Sequence, residues 1–321
     1  MEEFKYLIPE ESGIVVSMDV EKLREVEGNL RDVFTRHQYK ELILPMFEYV
    51  DLFKTTRHQK EESMFQFMNR DGKRIALRAD FTVPIARLYH NENTDEVRRY
   101  CYFGEVFRMQ ERHKGRSSEL YQAGIELIGK PGEEGDRECL SLIEETMDVI
   151  NMKDLKLELG NASFYLRLME LVQDEELSEI LEKKAISEMK RFVEEKDLDE
   201  DLKEMLINLP SSFGSIDDLK AFKVKVKDKQ LLDAITSLEE LYLSCDKKED
   251  VMFDLCMVPN QSYYTGVMMK VYSRYSEYPI LSGGRYDRLM NNFDTYSPAI
   301  GFSYHINTLL NAYEKEGETN D

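Results

Sequence analysis

Long apolar runs, paired cysteines and an excess of positive charge are all missing from this sequence, and each absence removes a class of function. No stretch is long and apolar enough to read as a membrane span, and the first residues, MEEFKYLIPEESG, lack the basic flank and apolar core of a secretory signal. A cytoplasmic protein without a membrane partner is expected. The 4 cysteines, Cys101, Cys139, Cys245 and Cys256, have no Cys-x-x-Cys spacing and sit among apolar neighbours, so buried free thiols are expected. The 5 histidines, His37, His58, His90, His113 and His305, are equally dispersed, and no metal site is indicated. Lysine and arginine number 43 against 63 aspartates and glutamates, a formal net charge of -20. Such a chain as a whole repels a polyanion, which argues against bulk nucleic-acid binding. One local cluster runs the other way: Arg98, Arg99, Arg108, Arg112, His113, Lys114 and Arg116 lie close together in sequence.

What is there is the composition of a soluble globular protein. The 321 residues are 42% hydrophobic and 33% charged, enough chain for one or two domains around a sizeable core. The segment 98–129 reads as two strands around a charged loop. Under period-two alternation Tyr100, Tyr102, Gly104, Val106 and Arg108 share one face of the first strand, and Gln122, Gly124 and Glu126 share one face of the second. The other face of the second strand, Tyr121, Ala123, Ile125 and Leu127, is largely apolar and suits packing under helices. Gln122 and Glu126 then stand about 13 Å apart, with side-chain-free Gly124 between them as a floor. Arg108 can fork onto a carboxylate and Glu126 can accept from an ammonium, which is what holding a free amino acid requires. The same alternation also fits a hairpin face that is merely solvated.

Upstream, Val20, Leu23, Val26, Leu30, Val33 and Phe34 recur at three- and four-residue steps behind a candidate N-cap, Asp19, and predict a helix over 20–34. A short apolar strand over 39–45 follows, ended by Pro45. Residues 65–68 and 74–78 predict a hairpin about Asn69-Arg-Asp-Gly72. Asp80 and Thr82 either share a face in extended chain or cap the helix that comes next. Past the central hairpin, 129–135 is a turn cluster without phosphate-loop order, 136–150 an amphipathic helix, and 155–160 an alternating strand with Asn161 as the cap of a further helix. From 163 to 250 the chain is rich in Glu, Lys, Leu and Met at helical spacing and poor in strand signals, so a helical insertion is expected, its charge runs being solvated faces. Strands return over 251–256 and 263–272, with turn chemistry at Asn260-Gln-Ser. The expected division is a core of 1–162 and 251–321 interrupted by the insertion 163–250.

Phe107-Arg108, then Glu111-Arg112, a short basic loop and Tyr121-Gln122-x-Gly124-x-Glu126 resemble motif 2 of the class II aminoacyl-tRNA synthetases in its histidyl form. The helix over 20–34 with its strand and Pro45 resembles motif 1, the dimer interface in that family; on pattern alone it fits a surface helix capping the sheet equally well. The stretch around Arg78, Asp80 and Thr82 resembles the segment Arg-Pro-Glu-Gly-Thr, whose acid and threonine hold the substrate's amino group, with Asp80 for the glutamate and Phe81 for the glycine. Tyr263-Tyr264-Thr-Gly266 matches the second half of the histidine signature Arg-Gly-Leu-Asp-Tyr-Tyr-Thr-Gly, while Pro259, Asn260, Gln261 and Ser262 replace the first half. Residues 279–310 resemble motif 3, whose ATP-contacting arginine falls on Thr308. The resemblance implies an α+β fold on a class II antiparallel sheet flanked by helices, with a helical insertion. It implies no anticodon-binding domain, since the sequence ends about a dozen residues beyond motif 3.

A synthetase scaffold that keeps an amino-acid slot yet carries threonine at the ATP-binding arginine resembles the regulatory subunits of short-form ATP phosphoribosyltransferase, a family of histidyl-tRNA synthetase paralogues. That resemblance implies a non-catalytic subunit of the first step of histidine biosynthesis. Such a subunit forms a dimer within a hetero-octamer, activates a short catalytic chain and confers feedback inhibition by free histidine. It implies no catalytic residues, no cofactor and no metal, and a histidine slot formed by Asp80, Thr82, Arg108, Gln122, Glu126, Tyr263 and Tyr264. Two readings from other classes stand beside it. A freestanding ligase that adenylates histidine is opposed by Thr308, because developing phosphate charge needs a cation. An RNA-binding synthetase paralogue is opposed by the charge of -20.

Overall fold

A computed structural model describes residues 12, 17–55, 63–109 and 117–320. Its framework is the hairpin expected at 98–129. Strands β5 (Arg98–Phe107) and β6 (Glu119–Ile128) pair antiparallel along their full length, with Tyr100 opposite Glu126, Tyr102 opposite Gly124 and Gly104 opposite Gln122. The polar set therefore shares one face, as alternation requires. On the other face Ala123, Ile125 and Leu127 are buried in one apolar cluster with Val26, Leu30 and Phe34 of α1 (Ser17–Arg36) and with Leu140 and Ile143 of α4 (Gly132–Ile150).

The hairpin is widened on one side by β11 (Ala299–His305), β10 (Leu281–Arg285), β9 (Val267–Ser273), β7 (Leu155–Asn161) and β8 (Val251–Phe253), and on the other by β1 (Lys40–Leu42). Among the described residues this makes an eight-stranded sheet in the order β1-β5-β6-β11-β10-β9-β7-β8. Only its outermost pairs, β1 with β5 and β7 with β8, are parallel. The terminal helix α11 (Ile306–Asn320) lies beside α1 on the helical side, sending Leu309 and Ala312 into the same core. Among the described residues no separate anticodon-binding domain follows it, and no helix is long and apolar enough to cross a membrane. All four cysteines are buried and free; burial pushes the Cys101 thiol up to about 12.

A second, three-stranded sheet carries the expected 65–78 hairpin. Strands β3 (Gln66–Met68) and β4 (Arg74–Leu77) turn at Gly72, φ 75°, with the Asn69 side chain accepting from the N–H groups of Asp71 (3.0 Å) and Lys73 (2.8 Å). The short β2 (Phe47–Tyr49) pairs on the far side of β4. Beyond β4 the chain runs into α3 (Thr82–Glu92), and this layer closes over the polar face of the large sheet through a second apolar cluster that includes Phe81, Ile85, Tyr102 and Tyr286.

Between β7 and β8 the chain is helical, from α5 (Ala162–Val172) through α6 (Glu176–Lys183), α7 (Ile186–Glu194), α8 (Glu200–Asn208) and α9 (Ile216–Lys223) to α10 (Lys229–Leu243). Several starts are fixed by side-chain caps: Asn161 accepts from the Ser163 N–H at 2.9 Å, Asp199 caps α8, Ser215 and Asp218 form a capping box, and Asp228 caps α10. Other boundaries differ from the sequence pattern. Asp19 lies inside α1, which starts at Ser17, so it is not the cap. Helix α4 starts at Gly132, inside the stretch read as a turn cluster. Tyr263 and Tyr264 precede β9 in a turn closed by Tyr264 N–H donating to the Gln261 carbonyl at 3.2 Å, although their composition suggested strand. Aromatic β-propensity yields there to the turn chemistry next to it.

Close packing makes one glycine decisive. A Cβ at Gly124 would lie 2.6 Å from the Tyr102 hydroxyl and collide with the Phe302 carbonyl oxygen. Gly124→Ala is expected to cost about 1–3 kcal/mol of stability by overpacking, read from urea or thermal unfolding. An unchanged unfolding midpoint would contradict this packing.

Candidate functional site

On the face of the large sheet away from α1 and α4 lies a pocket of about 490 Å³, counting its open mouth. Asp80, Thr82, Arg108, Gln122, Glu126, Tyr263 and Tyr264 all line it, although they come from four separate stretches of chain. The family resemblance groups them in one slot, and the strand pairing brings them together.

Glu126 is the anchor, at only 2% exposure. Its Oε1 accepts from Thr82 Oγ1 at 2.6 Å, and its Oε2 accepts from the Tyr286 hydroxyl. Burial outweighs both hydrogen bonds and, helped by nearby Asp80, pushes the carboxyl up to about 8. Asp80 is also buried and also raised, chiefly by burial. Its Oδ1 accepts from the Val83 N–H at 2.9 Å, so Asp80 caps the first turn of α3 while Thr82 turns to Glu126. Neither carboxyl forms an ion pair among the described residues. Buried carboxyls of this kind are ordinarily neutralised by a cation, and here the pocket is where one can enter.

Opposite the acids, Gln122 is 5% exposed and lines the pocket, yet its side-chain amide has no hydrogen-bond partner among the described residues. An unmatched buried amide costs about 1–3 kcal/mol, which a bound polar group would recover. Arg108 sits just past β5; its Nε donates to the Ala79 carbonyl at 2.7 Å, which holds the guanidinium at this end of the pocket.

Aromatic side chains form the walls. Phe81 stacks on Tyr102 with centroids 4.1 Å apart and planes 11° apart, and the Arg78 guanidinium covers its other face at 4.3 Å. Tyr263 meets Tyr264 edge to face at 5.4 Å and Tyr286 at 5.7 Å. The expected open floor at Gly124 is corrected by this packing, because the Tyr102 ring occupies the space above it. Gly283 and Gly301 also line the pocket, and a Cβ on Gly301 would collide with the Glu126 carboxylate. Tyr102, Tyr286, Ser282, Ser303, His305, Asn260 and Gln261 also line the pocket without having been singled out as site residues. Alternation along β11 could have given Ser303 and His305, while no local pattern marks Tyr286.

Arg285, in contrast, is structural: it bonds Asp136 at 2.8 Å, Asp287 at 2.9 Å and the Gly132 carbonyl at 2.8 Å, pinning β10 to the start of α4. Two described members of the basic cluster are likewise paired within the fold. Arg98 is paired with Glu92 and Glu96, and Arg99 is bidentate on Glu138 at 2.6 and 2.9 Å. Glu111, Arg112, His113, Lys114 and Arg116 lie outside the described residues. Among the described residues no group of three His, Cys, Asp or Glu side chains is placed to hold a metal ion.

A large sheet with helices behind it and an acid-anchored, aromatic-walled slot in front defines a protein of the class II aminoacyl-tRNA synthetase type. The histidyl-tRNA synthetase family model matches residues 15–309. The chain is 38% identical to the ATP phosphoribosyltransferase regulatory subunit of Lactococcus lactis subsp. lactis over 98% of both chains, and 34% identical to that of Ruminiclostridium cellulolyticum over 99% of this chain and 79% of that protein. A solved ATP phosphoribosyltransferase regulatory subunit/histidyl-tRNA synthetase from Bacillus halodurans superposes with a TM-score of 0.88 at 25% identity, covering 97% of this chain and 84% of that one. The histidyl-tRNA synthetase of Nostoc sp. PCC 7120 shares the fold, with a TM-score of 0.78 at 20% identity over 97% of this chain and 76% of that one. The chain belongs to the family of ATP phosphoribosyltransferase regulatory subunits, built on the histidyl-tRNA synthetase fold.

The unfolded chain releases the Glu126 proton near the ordinary 4.5, whereas the folded protein keeps it to about 8. The folded state thus binds more protons between those values, and ligand-free stability falls as pH rises through that window. Glu126→Gln removes this titration. Thermal unfolding of parent and variant at the two ends of the window should show the variant gaining on the parent as pH rises; a constant difference would mean that Glu126 is not held protonated.

Proposed function

We propose that the protein is the non-catalytic regulatory subunit of a short-form ATP phosphoribosyltransferase, acting in the first step of histidine biosynthesis in the cytoplasm, and that free histidine in the slot is its feedback effector. The observation that carries this is the pair of buried carboxyls without an ion-pair partner among the described residues, Glu126 and Asp80, on a chain 38% identical to a protein of that name. Histidine suits the slot: its ammonium or imidazole brings a cation to Glu126, Asp80 and Thr82, and its carboxylate meets Arg108 and the Gln122 amide, between walls that include Tyr263 and Tyr264.

The absence of catalysis is supported by Thr308 at the start of α11 and by Pro259 in the loop before β9, which stand where the synthetase motifs carry arginines that a phosphate-activating site needs. Self-association is supported by the outer face of the small sheet. Phe47, Tyr49 and Phe67 are exposed there, Phe47 and Phe67 in edge-to-face contact at 5.4 Å, next to exposed Ile43 and Met46. A two-fold dimer through this face would repeat the catalytic-chain contact on each protomer, consistent with a hetero-octamer. The residues 163–250 form an insertion in this arrangement, separate from the slot. Activation and inhibition follow if the catalytic chain has two conformations that this subunit and histidine favour unequally.

The test is turnover of a purified short catalytic chain with and without this protein, then with histidine. The chain alone is expected to have no transferase activity, and the mixture is expected to be active and inhibited by histidine. Arg108→Ala and Glu126→Ala should bind histidine roughly a hundredfold more weakly, by calorimetry, and their complexes should lose the histidine response. A catalytic chain that is fully active alone, or a mixture that elutes as separate species and ignores histidine, would overturn the assignment.

A further inference from the structure

The slot has a second end whose chemistry is distinct from its acidic end. Strand β11 sets Gly301 opposite Glu126, Ser303 opposite Gly124 and His305 opposite Gln122. The slot face therefore extends along β6 and β11 for about 13 Å, from the Glu126 end to the Gln122 end. At the first end β11 offers a glycine, which the Glu126 carboxylate needs. At the second it offers an imidazole. His305 lines the pocket beside Arg108, Gln122 and Ser282, and its Nε2 lies 2.9 Å from Ser282 Oγ. Ser282 is fixed in turn on β10, directly opposite Ser303. His305 is the last residue of its strand, with α11 starting at Ile306, so its ring is held between a strand end and a hydroxyl on the neighbouring strand. Burial, with the Arg108 guanidinium adding to it, brings the imidazole down to about 4. At neutral pH the ring therefore supplies volume and a hydrogen-bonding nitrogen, and no charge.

Arg108 and Gln122, the groups suited to a carboxylate, are at this same end. We propose that His305 is a specificity-determining residue: locked by Ser282, its ring closes the slot just beyond the ligand's carboxylate, so that the site takes a free amino acid and refuses one extended at the carboxyl. The proposal rests on the histidine reading of the slot. It also gives that reading a physical reason for binding histidine without adenylating it, since a carboxyl can be joined to a phosphate only where there is room beyond it.

Calorimetric titration of the full chain with histidine, histidinamide and histidine benzyl ester tests it. The amide and the ester both lack the negative charge, and the change in their ratio on shortening His305 reads the bulk beyond the carboxyl carbon. The parent is expected to prefer the amide to the ester by about tenfold or more. In His305→Ala, and in His305→Asn should the first variant unfold, the ester is expected to bind within about threefold of the amide. A parent that binds ester and amide alike overturns the proposal and leaves the histidine reading standing. So does a folded His305 variant that binds histidine and still rejects the ester. A parent that binds none of the three overturns both.

Discussion

The Glu126 carboxyl is the point on which the site depends. It lies on β6, accepts from Thr82 at the start of α3 and from Tyr286 just past β10, and fits only because β11 places a glycine against it. One side chain thus ties four segments far apart in sequence. Removing a carboxylate from water is costly, and the protein offsets this with two hydroxyl hydrogen bonds and by keeping the proton to about 8, without an ion pair among the described residues. The result is a site whose acid is held neutral up to about pH 8.

The surrounding structure keeps that acid dry and fixed. Phe81 fills the volume between α3 and Tyr102, and Arg78 holds Phe81 from behind while donating to the carbonyls of Leu44 and Glu105, both at 2.7 Å. Gly104, φ 153°, leaves the space that Arg78 takes. The slot's side chains stand on strands of a wide sheet backed by α1, α4 and α11, which holds them in register.

Much of this was legible in the sequence because period-two alternation is robust over strands as long as β5 and β6, and because Asn161 followed by a helical run is a strong capping signal. What stayed hidden depends on the third dimension. The Tyr102 ring covers Gly124 through cross-strand packing that no spacing encodes, and Tyr286 reaches Glu126 from a segment with no periodicity of its own. The pairing of Arg98 and Arg99 was equally hidden, because Glu92 and Glu138, which neutralise them, belong to other elements. The strand β2 has only three residues, too few for a period to show.

The most direct measurement is histidine affinity against pH for the parent and for Glu126→Gln, taken as a ratio so that the ligand's own titration cancels. If the ionised Glu126 carboxylate receives the cation, deprotonating it costs about 1.36 kcal/mol for each pH unit below its pKa. The ratio of parent to variant affinity should then climb roughly tenfold per pH unit and level off near 8, where the folded carboxyl titrates. A ratio that does not change with pH would show that Glu126 is not what the ligand binds.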